Sequence, residues 1–206
     1  MLIRSRMGVS ADGYVSTDDG VPTQAIMPGF RPRVSHGFPE FIQGCDAVVM
    51  GRNTFLPALG APDWPWPGLQ VYVLTSRPLP ANTPDDVVVV RDGPAALVER
   101  LRSRGSDGDV HLVGGPRTIR AFHELGALDR LELLILPILL GSGVPLSPRQ
   151  APPVSLRLLR SDRTFPDGSA ELVYAVKKQE AADRRGPGRS SPIVNLAAVA
   201  ARKCWT

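Results

Sequence analysis

Six short runs rich in aliphatic and β-branched residues punctuate this chain, and helix-like segments fall between them. The runs are "LIRSRM" (2–7), "DAVVM" (46–50), "LQVYVLT" (69–75), "DDVVVV" (85–90), "DVHLV" (109–113) and "RLELLIL" (130–136). Near-continuous apolar runs suit strands buried on both faces. "GPAALVERLRSRG" (93–105) puts Leu97, Val98 and Leu101 on one helical face, with Asp92 placed to cap its start. "PRTIRAFHELG" (116–126) does the same with Ile119, Phe122 and His123, between an opening proline and a closing glycine. "HGFPEFIQG" (36–44) is a shorter third helix. Alternation of this kind predicts an α/β fold with a mostly parallel sheet, helices on both faces and right-handed crossovers. Near the end, "SLRLLRSDRTF" and "AELVYAVKK" flank "PDGS", the pattern of an antiparallel hairpin, so the sheet should be mixed.

Two stretches interrupt the pattern. Residues 16–35 show no periodicity, and 56–68 carry Trp64 and Trp66 between prolines. Loops of such length are commonly functional. Beyond residue 178 the pattern dissolves. The expected organisation is one domain, 1–178, followed by a basic tail, 179–206, that is disordered or expression-derived.

Charge supports that division. Of the net +4, three charges fall in 179–206, so the body is almost neutral. It lacks the basic surface expected of a nucleic-acid binder. Cys45 and Cys204 form no paired motif, and His36, His111 and His123 lack metal-ligand spacing, so no metal site is expected. The start of the chain lacks a signal peptide's apolar segment, and "LLILPILL" is too short to cross a bilayer. The expectation is a cytoplasmic protein acting on a small molecule, without membrane or nucleic acid.

Ligands of open α/β sheets bind beyond the carboxyl ends of the strands. Three strand ends here carry residues suited to an anion. They are Gly51-Arg52-Asn53-Thr54, Thr75-Ser76-Arg77 and Val113-Gly114-Gly115-Pro116-Arg117-Thr118. Glycines allow a phosphate close to the backbone, and helix starts offer unpaired N–H groups and a positive dipole end. Arginines add charge-assisted hydrogen bonds.

These pieces, with "VSADGYVS" (9–16) and "LDRLELLILPILLGSGVPL" (128–146), resemble the dihydrofolate reductase-like superfamily, especially the reductase domain of riboflavin biosynthesis and its stand-alone relatives. The resemblance covers nearly all of 1–178, in the family's order. It implies a three-layer fold and an NADPH cofactor. Gly51, Arg52, Asn53 and Thr54 would open a helix beside its phosphates. Thr75, Ser76 and Arg77 would grip the adenosine 2′-phosphate. Val113, Gly114, Gly115, Arg117 and Thr118 would lie at the pyrophosphate, with a cis bond between the glycines. Asp12 would face the substrate as a catalytic residue, and a homodimer is among the family's states. The alternative for Asp12 is an Asp-Gly turn residue bonded to nearby backbone. Residues 16–35 would then be a lid, with Arg31 and Arg33 as anchors for an acidic group.

The sequence also departs from that family. Val113 stands where riboflavin-type reductases commonly carry a substrate-binding Glu. The zinc deaminase motif of the bifunctional enzymes is absent, and so is the N-terminal pattern of true dihydrofolate reductases, for whose acid Glu40 is the nearest candidate. The expected activity is therefore hydride transfer from NADPH to a C=N or C=O of a small heterocyclic or sugar-linked substrate. The alternatives are 5-amino-6-(5-phosphoribosylamino)uracil reductase, dihydrofolate reductase, and a non-catalytic NADPH-binding protein.

Overall fold

The structure is a computed structural model; it describes residues 1–61, 64–148 and 152–177. The elements in order are β1 (Ile3–Ser10), β2 (Tyr14–Ser16), α1 (Phe38–Gln43), β3 (Cys45–Gly51), α2 (Arg52–Leu59), β4 (Gln70–Leu74) and β5 (Val88–Val90). There follow α3 (Gly93–Ser103), β6 (Asp109–Gly114), α4 (Pro116–Glu124), β7 (Arg130–Leu136), β8 (Val144–Pro145), β9 (Leu156–Thr164) and β10 (Ala170–Val176). The tail expected at 179–206 lies outside the described residues.

The main sheet has the order β5-β4-β3-β6-β1-β7-β10-β9. Pairings from β5 through β7 are parallel, and β10 runs antiparallel to both β7 and β9. This is the mixed, mostly parallel sheet with a closing hairpin that the sequence pattern predicts. β2 and β8 form a separate small antiparallel sheet. Its strands are too short for periodicity to reveal.

Helices cover both faces. On one, Leu97, Val98 and Leu101 of α3 and Phe122 of α4 pack on Ile3, Val49, Tyr72, Val110 and Leu112. On the other, Phe55 of α2 and Trp66 pack on Val48, Met50, Val71 and Val73. Successive residues from Ala47 to Met50 of β3 alternate between these two cores, so the middle of that strand is apolar on both faces.

Three local expectations need correction. Asp92 makes no capping bond; its carboxylate pairs instead with Arg100, one face along α3, at 2.9 Å. The "DDVVVV" run begins as a turn, Val87 N–H donating to Pro84 O at 3.1 Å, so only Val88–Val90 form strand. Residues 56–59, read as part of the loop 56–68, continue α2. Pro57 forfeits one helical bond, but Phe55 beside it is wholly buried and holds that turn down.

Candidate functional site

Register brings two helix starts together. β3 and β6 are parallel neighbours, and Met50 lies opposite Gly114. α2 begins one residue beyond Met50's neighbour Gly51, and α4 begins after Gly115. The Gly114–Gly115 bond is cis, as the resemblance implies. Neither helix start is capped by a side chain. A Cβ on Gly51 would sit 3.0 Å from Thr118 Oγ1, and one on Gly115 would sit 3.8 Å from Thr54 Oγ1. The two turns are thus close enough to act on one ligand.

They border a cavity of about 1190 Å³. Gly51, Arg52, Asn53, Thr54, Val113, Gly115, Arg117 and Thr118 all line it, with Gly114 buried behind. Four arginines line it: Arg6, Arg33, Arg52 and Arg117; among the described lining residues there is no Asp or Glu. Thr75, Ser76 and Arg77 do not line it. They follow β4, whose Leu74 is in register with Gly51, so they flank the α2 start from outside. Thr75 Oγ1 accepts the Arg77 N–H at 3.0 Å, which fixes the main chain of that turn.

Asp12 does not line the cavity either. It is exposed, and its two carboxylate oxygens accept N–H bonds from Leu140 at 3.1 Å and Gly141 at 2.7 Å. The Ser10 hydroxyl and the Gly141 amide hold its pKa below the usual carboxylate value. Asp12 therefore anchors the loop leading into β8, whose Val144 and Pro145 do line the cavity. Replacing Asp12 with alanine should speed amide exchange at Leu140 and Gly141, measured by hydrogen–deuterium exchange. Because its pKa is depressed, the anchor holds above the ordinary aspartate value of 3.8 and is lost as pH falls below it. Unchanged exchange at those two amides in the variant would refute this anchoring role.

The segment after β2 closes over the cavity. Two 3₁₀ turns, Thr23–Ile26 and Ser35–Gly37, break what the sequence shows as featureless loop. Thr23 is buried and donates to Tyr14 O at 2.9 Å. Arg33 reaches Trp64 O at 3.3 Å and so spans to the other long loop. His36 and Arg33 both have left-handed backbone, with φ 58° and 65°, a conformation uncommon outside glycine that tends to occur at functional sites. His36 Nε2 meets Asp167 Oδ2 at 2.6 Å, and the Arg6 guanidinium donates to its carbonyl oxygen. Burial pushes the Asp167 carboxyl up, but hydrogen bonds from His36 and Ser169 outweigh it and leave it below the ordinary value.

Sequence reasoning named Arg33 but missed Arg6, Gln24 and Phe38, which also line the cavity. The only signal for Arg6 was a charge inside the alternating run "LIRSRM". His111, set within the apolar run "DVHLV", also lies on the cavity wall. Burial, helped by the charges of Arg6 and Arg4, lowers its pKa to about 3, so it is neutral at ordinary pH.

Among the described residues no group of three or more His, Cys, Asp or Glu side chains could hold a metal ion. Nor is any helix among them long and apolar enough to cross a membrane.

A mixed sheet with helices on both faces, and a cradle of paired helix starts at its carboxyl edge, define a dihydrofolate reductase-like fold. Residues 2–168 match the RibD C-terminal domain family, and the chain belongs to it. That family is the reductase domain of riboflavin biosynthesis, and it usually binds NADPH. Two uncharacterized proteins of Bacillus subtilis (strain 168) are similar. YwjB is 28% identical over 154 residues, covering 74% of this chain and 86% of its own. YyaP is 25% identical over 178 residues, covering 82% and 91%. Among solved structures, one assigned to riboflavin biosynthesis from Shewanella sp. PV-4 superposes with a TM-score of 0.74 at 27% identity, covering 86% of this chain and 99% of its own. The bifunctional diaminohydroxyphosphoribosylaminopyrimidine deaminase/5-amino-6-(5-phosphoribosylamino)uracil reductase of Thermotoga maritima shares the fold, with a TM-score of 0.61 at 16% identity. The match covers 85% of this chain and 56% of that protein.

Proposed function

We propose that this protein is an NADPH-dependent reductase that delivers a hydride to a C=N or C=O carbon of a small heterocyclic or sugar-linked molecule. One observation carries the reading: two uncapped helix starts and three arginines, Arg33, Arg52 and Arg117, face one cavity whose described lining has no carboxylate, the fourth lining arginine, Arg6, being paired with Glu132 and Glu171 behind it. Such a lining suits a ligand with several phosphates. The cradle also fits by shape, because a Cβ at Gly51 would crowd Thr118 and narrow the gap between the helix starts. Arg52 Nε, buried without a hydrogen bond, is a donor in want of an acceptor.

In this reading Arg52, Asn53, Thr54, Arg117 and Thr118 bind the pyrophosphate, with Gly114 and Gly115 allowing its approach. Thr75, Ser76 and Arg77 meet the 2′-phosphate beyond the edge of α2. Bound NADPH supplies the hydride. Met7, Gly8, Phe38, Val113 and Leu134 form the wall that orients the second reactant. The segment pinned by His36 and Arg33 excludes water. Asp12 positions the loop before β8, and the proton reaches the product through water. The same proposal places the enzyme in the cytoplasm and includes a homodimer.

A thermal-shift titration tests this. NADPH at about a hundred times its Kd should add about 2.7 kcal/mol of stability, and NADH at equal concentration clearly less. No shift with NADPH would overturn the reading.

The family match favours a second reading, reduction of a riboflavin-pathway aminopyrimidine. Against it stands Val113, an apolar side chain where a substrate-binding Glu is common in that pathway's reductases. Single-turnover oxidation of NADPH with ribosylaminopyrimidines, pterins and dihydrofolate separates the two readings. It also separates both from a protein that binds NADPH without chemistry.

A further inference from the structure

Buried side-chain nitrogens without a hydrogen bond gather around this cavity. They include Arg52 Nε, His36 Nδ1 and one ring nitrogen of His111, whose other ring nitrogen faces the Arg6 backbone carbonyl. Arg52 is explained by a phosphate, and His36 already holds Asp167 through its other nitrogen. His111 is not explained by either. It is 3% exposed and projects from β6 on the same face as Val113. Its ring meets the rings of Phe41 and Phe38 edge-on, with centroids 4.8 Å and 6.1 Å away. Met7, Val113 and Leu134 continue the wall. Leucine or phenylalanine would fill this place without burying a ring nitrogen that lacks a partner. Native proteins rarely leave such atoms unpaired without a partner or a role.

With its N–H turned to the Arg6 carbonyl, the neutral imidazole offers one bare acceptor nitrogen. It holds no charge to offset that of a carboxylate or phosphate. Its natural complement is an uncharged polar atom. We propose that His111 is a specificity-determining residue whose imidazole accepts a hydrogen bond from an uncharged N–H or O–H of the molecule that receives the hydride. This rests on the reductase reading. It divides the cavity: anionic groups go to the helix starts and arginines, and an uncharged polar edge goes to the wall beneath Phe38.

The test uses the full chain saturated with NADP⁺, histidine labelled for nitrogen NMR, and two small probes of matched shape, benzamide and benzoate. Benzamide should shift the His111 ring nitrogens. His111→Phe should weaken benzamide about tenfold, the worth of one hydrogen bond, and leave NADPH affinity unchanged. His111→Gln, which keeps a donor and an acceptor, should restore much of the benzamide binding. Benzoate should bind no more tightly than benzamide and leave the His111 nitrogens unshifted.

The inference is overturned if benzamide fails to bind, if it binds His111→Phe as well as the wild type, or if benzoate is preferred. It is also overturned if NADPH affinity falls in step with benzamide affinity, since His111 would then serve the fold or the cofactor. Should NADPH itself fail to bind the wild-type protein, the reductase reading fails first, and the two failures are distinguishable.

Discussion

Glu171→Ala should destabilise the protein by about 3–5 kcal/mol, the usual cost of removing one partner from a buried ion pair. Glu171 lies fully buried on β10. Arg6, two strands away on β1, and Arg160 on β9 both pair with it. Arg6 also meets Glu132 of β7 at 3.2 Å, and its own side chain is only 8% exposed. Removing the Glu171 carboxylate leaves a buried guanidinium with too little countercharge. A urea titration should show a lower midpoint at unchanged slope. A loss of only about 0–1 kcal/mol, as for a surface pair, would show that the network carries little. Replacing Arg6 and Glu171 together with methionine should recover part of the loss, since the buried guanidinium goes with its partner and only the half-exposed Arg160 is left unpaired.

The same residue sets an acid limit. Burial pushes the Glu171 carboxyl up, but the Arg6 hydrogen bond and the charges of Arg6 and Arg160 hold it below its ordinary value of 4.5. Its contribution is therefore complete above that value and is lost as pH falls through the depressed folded pKa. In that window the unfolded state binds more protons, so stability rises with pH. The alanine variant should show a shallower slope below pH 4.5 than the wild type.

Arg77→Ala should weaken NADPH about tenfold to a hundredfold, from the loss of a charged hydrogen bond worth about 1.5–3 kcal/mol. NADH, which lacks the 2′-phosphate, should bind the variant as it binds the wild type. The main chain at Arg77 is fixed by Thr75, whose hydroxyl also donates to Arg77 O at 3.1 Å. The change should therefore remove a cation without disturbing the turn. Fluorescence titration with both cofactors measures it. Equal losses for the two would remove Arg77 from the 2′-phosphate site.

Much of the fold was legible because its signals are local. β3 and β6 show as apolar runs, α3 and α4 as periodic faces, and Leu97, Val98, Leu101 and Phe122 are buried as that periodicity predicts. The paired helix starts were legible for the same reason, since each half is a strand, a glycine turn and a helix start in unbroken sequence. What stayed hidden depends on contacts between distant segments. Nothing near Arg6 announces Glu171 or the carbonyl of His36. Nothing near Asp12 shows that its carboxylate turns toward Leu140 and Gly141 and away from the cavity. His111 reads as an ordinary core residue until Phe38 and the opening in front of it are seen. The proline-rich stretch 56–68 misled in the opposite direction, because burial of Phe55 carries α2 on to Leu59.

The adjacency of β3 and β6 has an evolutionary side. Everything between them in the chain, from the end of α2 through α3, is an excursion toward the sheet's far edge and its outer face. The two helix starts are joined by a direct ladder of backbone bonds, with no intervening strand. Lengthening or shortening the connection between Pro78 and Val87 alters the rim of the molecule without moving one helix start against the other. A lineage of such proteins can remodel that part of its β4–β5 border and keep the two helix starts together. A one-residue slip of β3 against β6, by contrast, would disassemble both halves at once.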